Sequence, residues 1–297
     1  MYFDNAEGNV FRPPSESDSF ILRVTIGCSH NKCTFCCMYK DVQFRMRTRE
    51  EISRQIQAAI PYKNFIKRVF LADGDALILK TEYLLEILQE IKEAFPNLQR
   101  VSTYASPKSI LRKSDAELQQ LYAAGLKLAY YGLESGSDKV LKDVNKGVTA
   151  AESIEAGQKI VRSGMKLSIM VLIGLGGVAD SMEHARESAR VVSAIKPNML
   201  SALTLTFYPG SEMIAKVQTG EFTPLNPEQS MLEVAELLSN IQWDDQHKQC
   251  IFRSNHVSNV MPLAGNIPKD LERLIQQAKL AAGRLKGLKF DIRARGF

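Results

Sequence analysis

Apolar residues recur along this chain in two alternating rhythms. Short runs rich in β-branched and aromatic side chains occupy residues 20–26, 66–72, 101–104, 126–133, 166–173 and 200–207, and each reads as a strand. Between them lie segments of helical period. Residues 81–95 place Leu84, Leu85, Leu88 and Ile91 on one stripe. Helix starts are marked by a hydroxyl or Asp followed three residues later by Glu. Thr48 with Glu51 opens a helix to about residue 60, and Ser114 with Glu117 opens the third. Thr149 with Glu152 opens a fourth that ends near Gly164, and Asp180 with Glu183 opens a fifth that stops before Pro197.

Six strands alternating with five helices predict an α/β fold built on a parallel sheet with right-handed crossovers. The runs 166–173 and 200–207 are apolar at successive positions, as strands covered on both faces are. Alternation alone does not separate an open doubly wound sheet from a barrel. Residues 1–19 read as an irregular lead-in, with Arg12, Pro13 and Pro14 favouring extended backbone. After residue 210 the rhythm stops. A helix from Asn226 and Pro227 to about residue 243 is expected, then a short strand at 249–253 and a loop over 254–268. A last helix over 269–285 and a basic tail to residue 297 follow. The chain thus divides into a lead-in at 1–19, a core at 20–210 and a mostly helical flank or lid at 211–297.

The 297 residues are 45% hydrophobic and 24% charged, an ordinary globular balance. A net charge of +5 does not by itself argue for nucleic acid. Neither a secretory signal core nor an apolar run long enough to cross a bilayer is read in the sequence. No membrane association and a reducing, cytoplasmic compartment are expected.

The chemistry concentrates in the cysteines. Four of the five, Cys28, Cys33, Cys36 and Cys37, fall within ten positions, and Cys250 stands far off. Three thiolates crowded on one loop can grip an iron–sulfur cluster. A zinc site would need a fourth ligand, which His30 or Cys37 can supply, but no second Cys/His pair follows downstream. A disulfide framework fits neither the odd count nor the length. The spacing Cys-x4-Cys-x2-Cys with Phe35 before the last cysteine resembles the cluster loop of radical S-adenosylmethionine (radical SAM) enzymes. The usual family spacing has one residue fewer between the first two cysteines. The resemblance implies a [4Fe–4S] cluster held by Cys28, Cys33 and Cys36, with S-adenosylmethionine on the open iron. It also implies a partial (β/α)6 TIM-like barrel over residues 20–210.

Active sites of parallel α/β folds gather at the carboxyl ends of the strands, and the resemblance continues there. Asp73-Gly74-Asp75 stands where the family holds the methionine ammonium, with Asp75 at the acidic place. Thr103 and Tyr104 fall where hydroxyls would meet the ribose. Glu134 and Ser135, followed by Lys146, resemble the branch that includes methylthiotransferases and anaerobic coproporphyrinogen oxidases. By that match Glu134 contacts the ribose or methionine part and Lys146 pairs with the carboxylate. Leu172 and Gly174 would cover the adenine, and Tyr208 would face the pocket. Each of these, alone, also reads as a turn residue or a solvated side chain.

The family chemistry implies reductive cleavage of S-adenosylmethionine to a 5′-deoxyadenosyl radical that takes hydrogen from a substrate. An electron donor such as flavodoxin or ferredoxin is implied with it. Methylthio transfer is disfavoured because only Cys37 and Cys250 remain for a second cluster. Alternatives are tetrapyrrole chemistry of the coproporphyrinogen oxidase type, an RNA-modifying enzyme, and a zinc-stabilised binding protein. The RNA reading draws on Lys40, Arg45, Arg47, Arg49, Arg284, Lys286, Lys289, Arg293 and Arg295. Cys250 and His256 in the flank are further candidates, Cys250 as a hydrogen-atom donor and His256 as a substrate ligand, against core and loop roles respectively.

Overall fold

The computed structural model describes residues 8–244 and 248–288. In chain order the first elements are β1 (Phe20–Arg23), β2 (Thr25–Ile26), β3 (Arg45–Met46), α1 (Arg49–Ala59), β4 (Arg68–Ala72) and α2 (Thr81–Ala94). Next come β5 (Arg100–Tyr104), α3 (Pro107–Leu111), α4 (Asp115–Ala123), β6 (Leu126–Glu134), α5 (Asp138–Asp143), α6 (Ala150–Arg162) and β7 (Lys166–Ile173). The last are α7 (Gly177–Ile195), β8 (Met199–Thr204), α8 (Glu212–Gln218), α9 (Pro227–Ser239), β9 (Cys250–Arg253), β10 (Ala264–Ile267) and α10 (Leu271–Arg284).

The chain forms two compact units. The first takes in residues 8–31, Met38–Tyr131 and Ala156–Leu167. In it β1, β4, β5 and β6 are successive parallel neighbours, with Phe20 beside Val69 and Val69 beside Val101. The apolar stripe of α2 is buried as Leu84, Ile87, Leu88 and Ile91. Ile87 takes the place expected of Leu85, because a helical stripe drifts and the sheet decides which edge is covered. The capping boxes at Thr48/Glu51 and Ser114/Glu117 form as the sequence predicts.

The second unit takes in Lys32–Cys37, Gly132–Glu155 and residues 168–288. Here β7, β8 and β9 run parallel, and β10 closes antiparallel on β9. β10 falls inside the stretch read as a loop. Its sequence Ala-Gly-Asn-Ile has little apolar signal, so only pairing with β9 makes it a strand. α7 begins at Gly177, not at Asp180, which sits inside the first turn where a carboxylate suits the helix dipole. The box of Asn226 with Gln229 caps α9. The region read as a basic loop, 38–48, carries β3, which pairs with β2 over two residues, too short for a period to register. Among the described residues no helix is long and apolar enough to cross a membrane.

Candidate active site

In the first unit, β1 carries a charge where its neighbours are apolar. Arg23 is wholly buried, and its Nε and Nη2 both donate to Asp73 Oδ2, at 3.1 and 2.5 Å. The Gly27 N–H donates to the same oxygen at 3.0 Å, and the Asp73 N–H donates to Thr25 Oγ1. Asp73 Oδ1 is buried and has no hydrogen-bond partner. Burial pushes the Asp73 carboxyl above the usual range although the Arg23 guanidinium pulls the other way. Gly74 follows. Its N–H donates to the Gly27 carbonyl at 3.1 Å, and a Cβ there would meet Cys28 Cβ at 3.0 Å and Tyr39 Cε2 at 2.9 Å. The bare Cα thus seats Cys28, which is half-buried. The Tyr39 hydroxyl is likewise buried without a partner.

Asp75 departs from its expected role. Ser29 Oγ and Ser106 Oγ donate to its Oδ2, each at 2.8 Å; Ser109 Oγ and the Ser106 N–H donate to Oδ1, at 2.6 and 3.1 Å. Both oxygens are thereby occupied, so the carboxylate is a latch between the cysteine loop and the start of α3 and not an open ammonium acceptor. Burial raises its pKa despite these donors. Asp73, paired with Arg23 through Oδ2, keeps Oδ1 without a hydrogen-bond partner. Thr103 is buried with its hydroxyl on the Leu71 and Tyr104 carbonyls. Tyr104 is half-buried and edge-on to Phe70 at 5.0 Å.

The second unit holds Cys33, Cys36 and Cys37, all half-buried. The Thr34 N–H donates to the Val144 carbonyl at 3.0 Å, and Asn145 Nδ2 donates to the Lys32 carbonyl at 3.2 Å. Phe35 and Leu172 pack on one apolar cluster with Val140, Val144, Leu205 and Phe207. Lys146 Nζ lies 3.1 Å from Glu134 Oε1. Burial alone would lower the Lys146 pKa. The Glu134 carboxylate and the Cys33 and Cys36 thiols overcome this and hold it above its usual value. Glu134 has φ of 62°, and a Cβ at Gly132 would fall 1.8 Å from its Oε1. Gly132 is therefore a cradle for the pair, a role that the sequence alone did not reveal. Tyr208 is half-buried. Burial first, then Cys37 and Cys36, push its phenol up.

His256 Nδ1 lies 2.8 Å from Ser258 Oγ, and that oxygen accepts from the Thr204 N–H at the carboxyl end of β8. Cys250 opens β9 beside Asn198, at the opposite, amino-terminal end of the parallel strands, and is wholly buried. Burial pushes its thiol up to about 12. This placement corrects the donor reading: Cys250 is core, remote from the strand ends where its unit's other candidates gather. Among the described residues no three His, Cys, Asp or Glu side chains converge as a single metal ion would require. The donor set itself, soft thiols within nine consecutive residues, suits iron–sulfur chemistry.

Two buried groups escaped the sequence reading. Glu233 of α9 and His184 of α7 are both wholly buried, with Nε2 to Oε1 at 3.5 Å. Burial lowers His184 to about 4 and raises Glu233 to about 8, so the pair is uncharged near pH 7. Between the ordinary His value and about pH 8 the native state keeps a proton that the unfolded chain has lost. Stability should therefore fall as pH rises from about 6.5 to 8. Melting temperatures across that window should fall for the native protein and stay flatter for Glu233→Gln.

Residues 22–189 match the model of the Radical SAM superfamily. The chain belongs to the radical SAM superfamily. Members are enzymes that use a [4Fe–4S] cluster and S-adenosylmethionine. An uncharacterized methyltransferase, PH0819 of Pyrococcus horikoshii, is 22% identical over 201 residues, covering 65% of this chain and 40% of the relative. A putative methylthiotransferase, MJ0865 of Methanocaldococcus jannaschii, is 22% identical over 247 residues, 75% of this chain and 53% of that one. The dual-specificity RNA methyltransferase RlmN of Campylobacter lari is 26% identical over 180 residues, 58% and 49%. The chain thus spans about half the length of these relatives.

Among solved structures, the cobalamin-dependent S-adenosylmethionine radical enzyme OxsB aligns with TM-score 0.57 at 16% identity, over 73% of this chain and 40% of that one. Coproporphyrinogen III oxidase (HemN) of Escherichia coli aligns with TM-score 0.54 at 16% identity, over 74% and 51%. These likenesses bear on the fold, the α/β partial (β/α)6 TIM-like barrel expected for the family.

Proposed function

We propose that this chain carries out the radical SAM reaction, with Cys28, Cys33 and Cys36 holding the [4Fe–4S] cluster. The observation that carries the reading is the cysteine loop in a superfamily member. Its three thiols fall within nine residues, none is buried in a core, and Gly74 is bare where Cys28 rests on it. A cluster held there would supply the electron for reductive cleavage of S-adenosylmethionine to methionine and a 5′-deoxyadenosyl radical, the species that would take hydrogen from a substrate. The residues have distinct tasks. Asp73 Oδ1 and the backbone at Gly74 accept from the methionine ammonium, a charge-assisted contact. Lys146, kept charged by Glu134, meets the methionine carboxylate as a point charge. Glu134 and Ser135 border the ribose, and Leu172 and Gly174 cover the adenine, with Phe35 packed on the same apolar cluster as Leu172. Tyr208 and His256 face the substrate. Residues 20–210 are the catalytic core and 211–297 its flank. A flavodoxin or ferredoxin would supply the electron, and a reducing cytoplasm would suit an oxygen-sensitive cluster.

RNA modification is the second reading, drawn from the RlmN relatives. Against its leading, Arg45 is paired with Glu51 and Arg49 with Glu90, and Arg47 is buried. Lys289, Arg293 and Arg295 lie outside the described residues. Tetrapyrrole chemistry rests on a likeness of fold to HemN. The test is anaerobic reconstitution with iron and sulfide, then dithionite and S-adenosylmethionine. About four irons per chain and 5′-deoxyadenosine release are expected. Protein that takes up a full cluster yet releases none would refute the assignment.

A further inference from the structure

Buried carboxyl and imidazole groups are costly to keep in a core unless they do something there. Glu233 and His184 are wholly buried in the second unit, away from the cysteine loop in sequence, and no role in the proposed chemistry uses them directly. Their partners are unusual. Glu233 Oε1 accepts from the Gly174 N–H at 2.7 Å, and Oε2 accepts from Ser181 Oγ at 2.5 Å. Gly174 has φ of 85° and is the first residue after β7. On its other side His184 places Nδ1 2.8 Å from Ser135 Oγ and also reaches the Leu172 backbone. Ser135 Oγ in turn accepts from the Ser137 N–H at 3.0 Å, so it fixes the turn that follows β6.

One chain of contacts therefore runs from α9 through α7 to two strand ends. It touches Ser135, Leu172 and Gly174, three residues assigned above to the cofactor. A small cleft at the same strand ends is lined by Gly174, Thr204, Phe207, Leu225 and Ser230, the last of these one helical turn before Glu233. Without a carboxyl at 233 the Gly174 N–H would lose its acceptor in a place water does not reach, and the left-handed turn would keep only its own bonds, Leu175 N–H to the Leu172 carbonyl and Gly177 N–H to the Gly174 carbonyl.

We propose that Glu233, with His184 and Ser181, is a positioning group through which helix α9 sets the turns after β6 and β7 for S-adenosylmethionine. This rests on the cofactor assignment of Ser135 and Gly174. The contacts of Glu233, His184 and Ser181 described above include no cysteine, so the network acts on cofactor affinity and leaves cluster loading alone. Glutamine at 233 preserves the geometry: its amide oxygen accepts from Gly174 and its amide nitrogen donates to Ser181 Oγ.

The experiment is anaerobic equilibrium binding of S-adenosylmethionine to reconstituted full-length protein, read beside iron content, melting temperature and the change in the reduced cluster's electron paramagnetic resonance spectrum on cofactor addition. Glu233→Ala should weaken binding by roughly 10-fold or more with iron content unchanged. Glu233→Gln should stay within about 3-fold of the native protein, a rescue that a loss through general unfolding would not show. Should Glu233→Ala fail to fold, Ser181→Ala and His184→Gln replace it, each with a weakening of about 3-fold or more. Native affinity in Glu233→Ala, or in both replacements, overturns the proposal while leaving the cofactor assignment standing. Native protein with a full cluster that binds no S-adenosylmethionine overturns the assignment and the proposal together.

Discussion

Serine at positions 28, 33 and 36 together is expected to give a folded protein that takes up no iron–sulfur cluster and makes no 5′-deoxyadenosine above background. The fold should survive because all three cysteines are half-buried loop residues, not core. A hydroxyl is a poor substitute for a thiolate toward iron. Loss of an outer partner alone costs roughly 10–100-fold in metal affinity, so loss of the ligands themselves should exceed about 100-fold. Single replacements should each lose most of the iron. Cys37→Ser should keep it, which separates Cys37 from the ligand set. Cys250→Ala should retain cofactor cleavage, since the thiol is core at the far end of β9. The assignment falls if the triple variant still binds iron and sulfide as the native protein does.

Arg23→Met should be the most destabilising single change in the first unit. It leaves Asp73 without its cation, with one oxygen already lacking a partner and no exposure to water. Breaking a buried pair from one side costs about 3–5 kcal/mol, because the remaining charge cannot be solvated. A fall in melting temperature of about 10 °C follows for a chain of this size. Arg23→Met with Asp73→Leu should recover much of that loss, since removing both charges removes the penalty. Arg45→Met is the contrast. Its pair with Glu51 is partly exposed, and such pairs contribute about 0–1 kcal/mol. If Arg23→Met melts within about 2 °C of the native protein, the buried pair is not what anchors the turn between β2 and Cys28.

Where function is concerned, the sequence located candidate side chains but not the partners that each would meet. Asp75 matched the family's acidic position, but its oxygens are taken by Ser29, Ser106 and Ser109. Nothing local in those serines announces this, because they lie 46, 31 and 34 residues from Asp75. Arg23 offered a readable signal, a charge inside an apolar strand, which calls for a buried counter-ion. His184 and Glu233 offered none, since a helix places polar residues on any face that solvent or a partner will accept.

By itself the amino-acid sequence determined what is periodic or contiguous: the strand–helix alternation, the capping boxes at Thr48 and Ser114, the Asn226 cap, and a loop crowded with thiols. These depend on neighbours within a turn or two, so the code is local. Tertiary structure alone decided the two-residue ladder of β2 and β3, the late strand β10, and the partners of Asp73, Asp75 and Glu233. Those outcomes depend on which segments become neighbours after folding, and a side chain's hydrogen-bonding groups are satisfied by whatever arrives there.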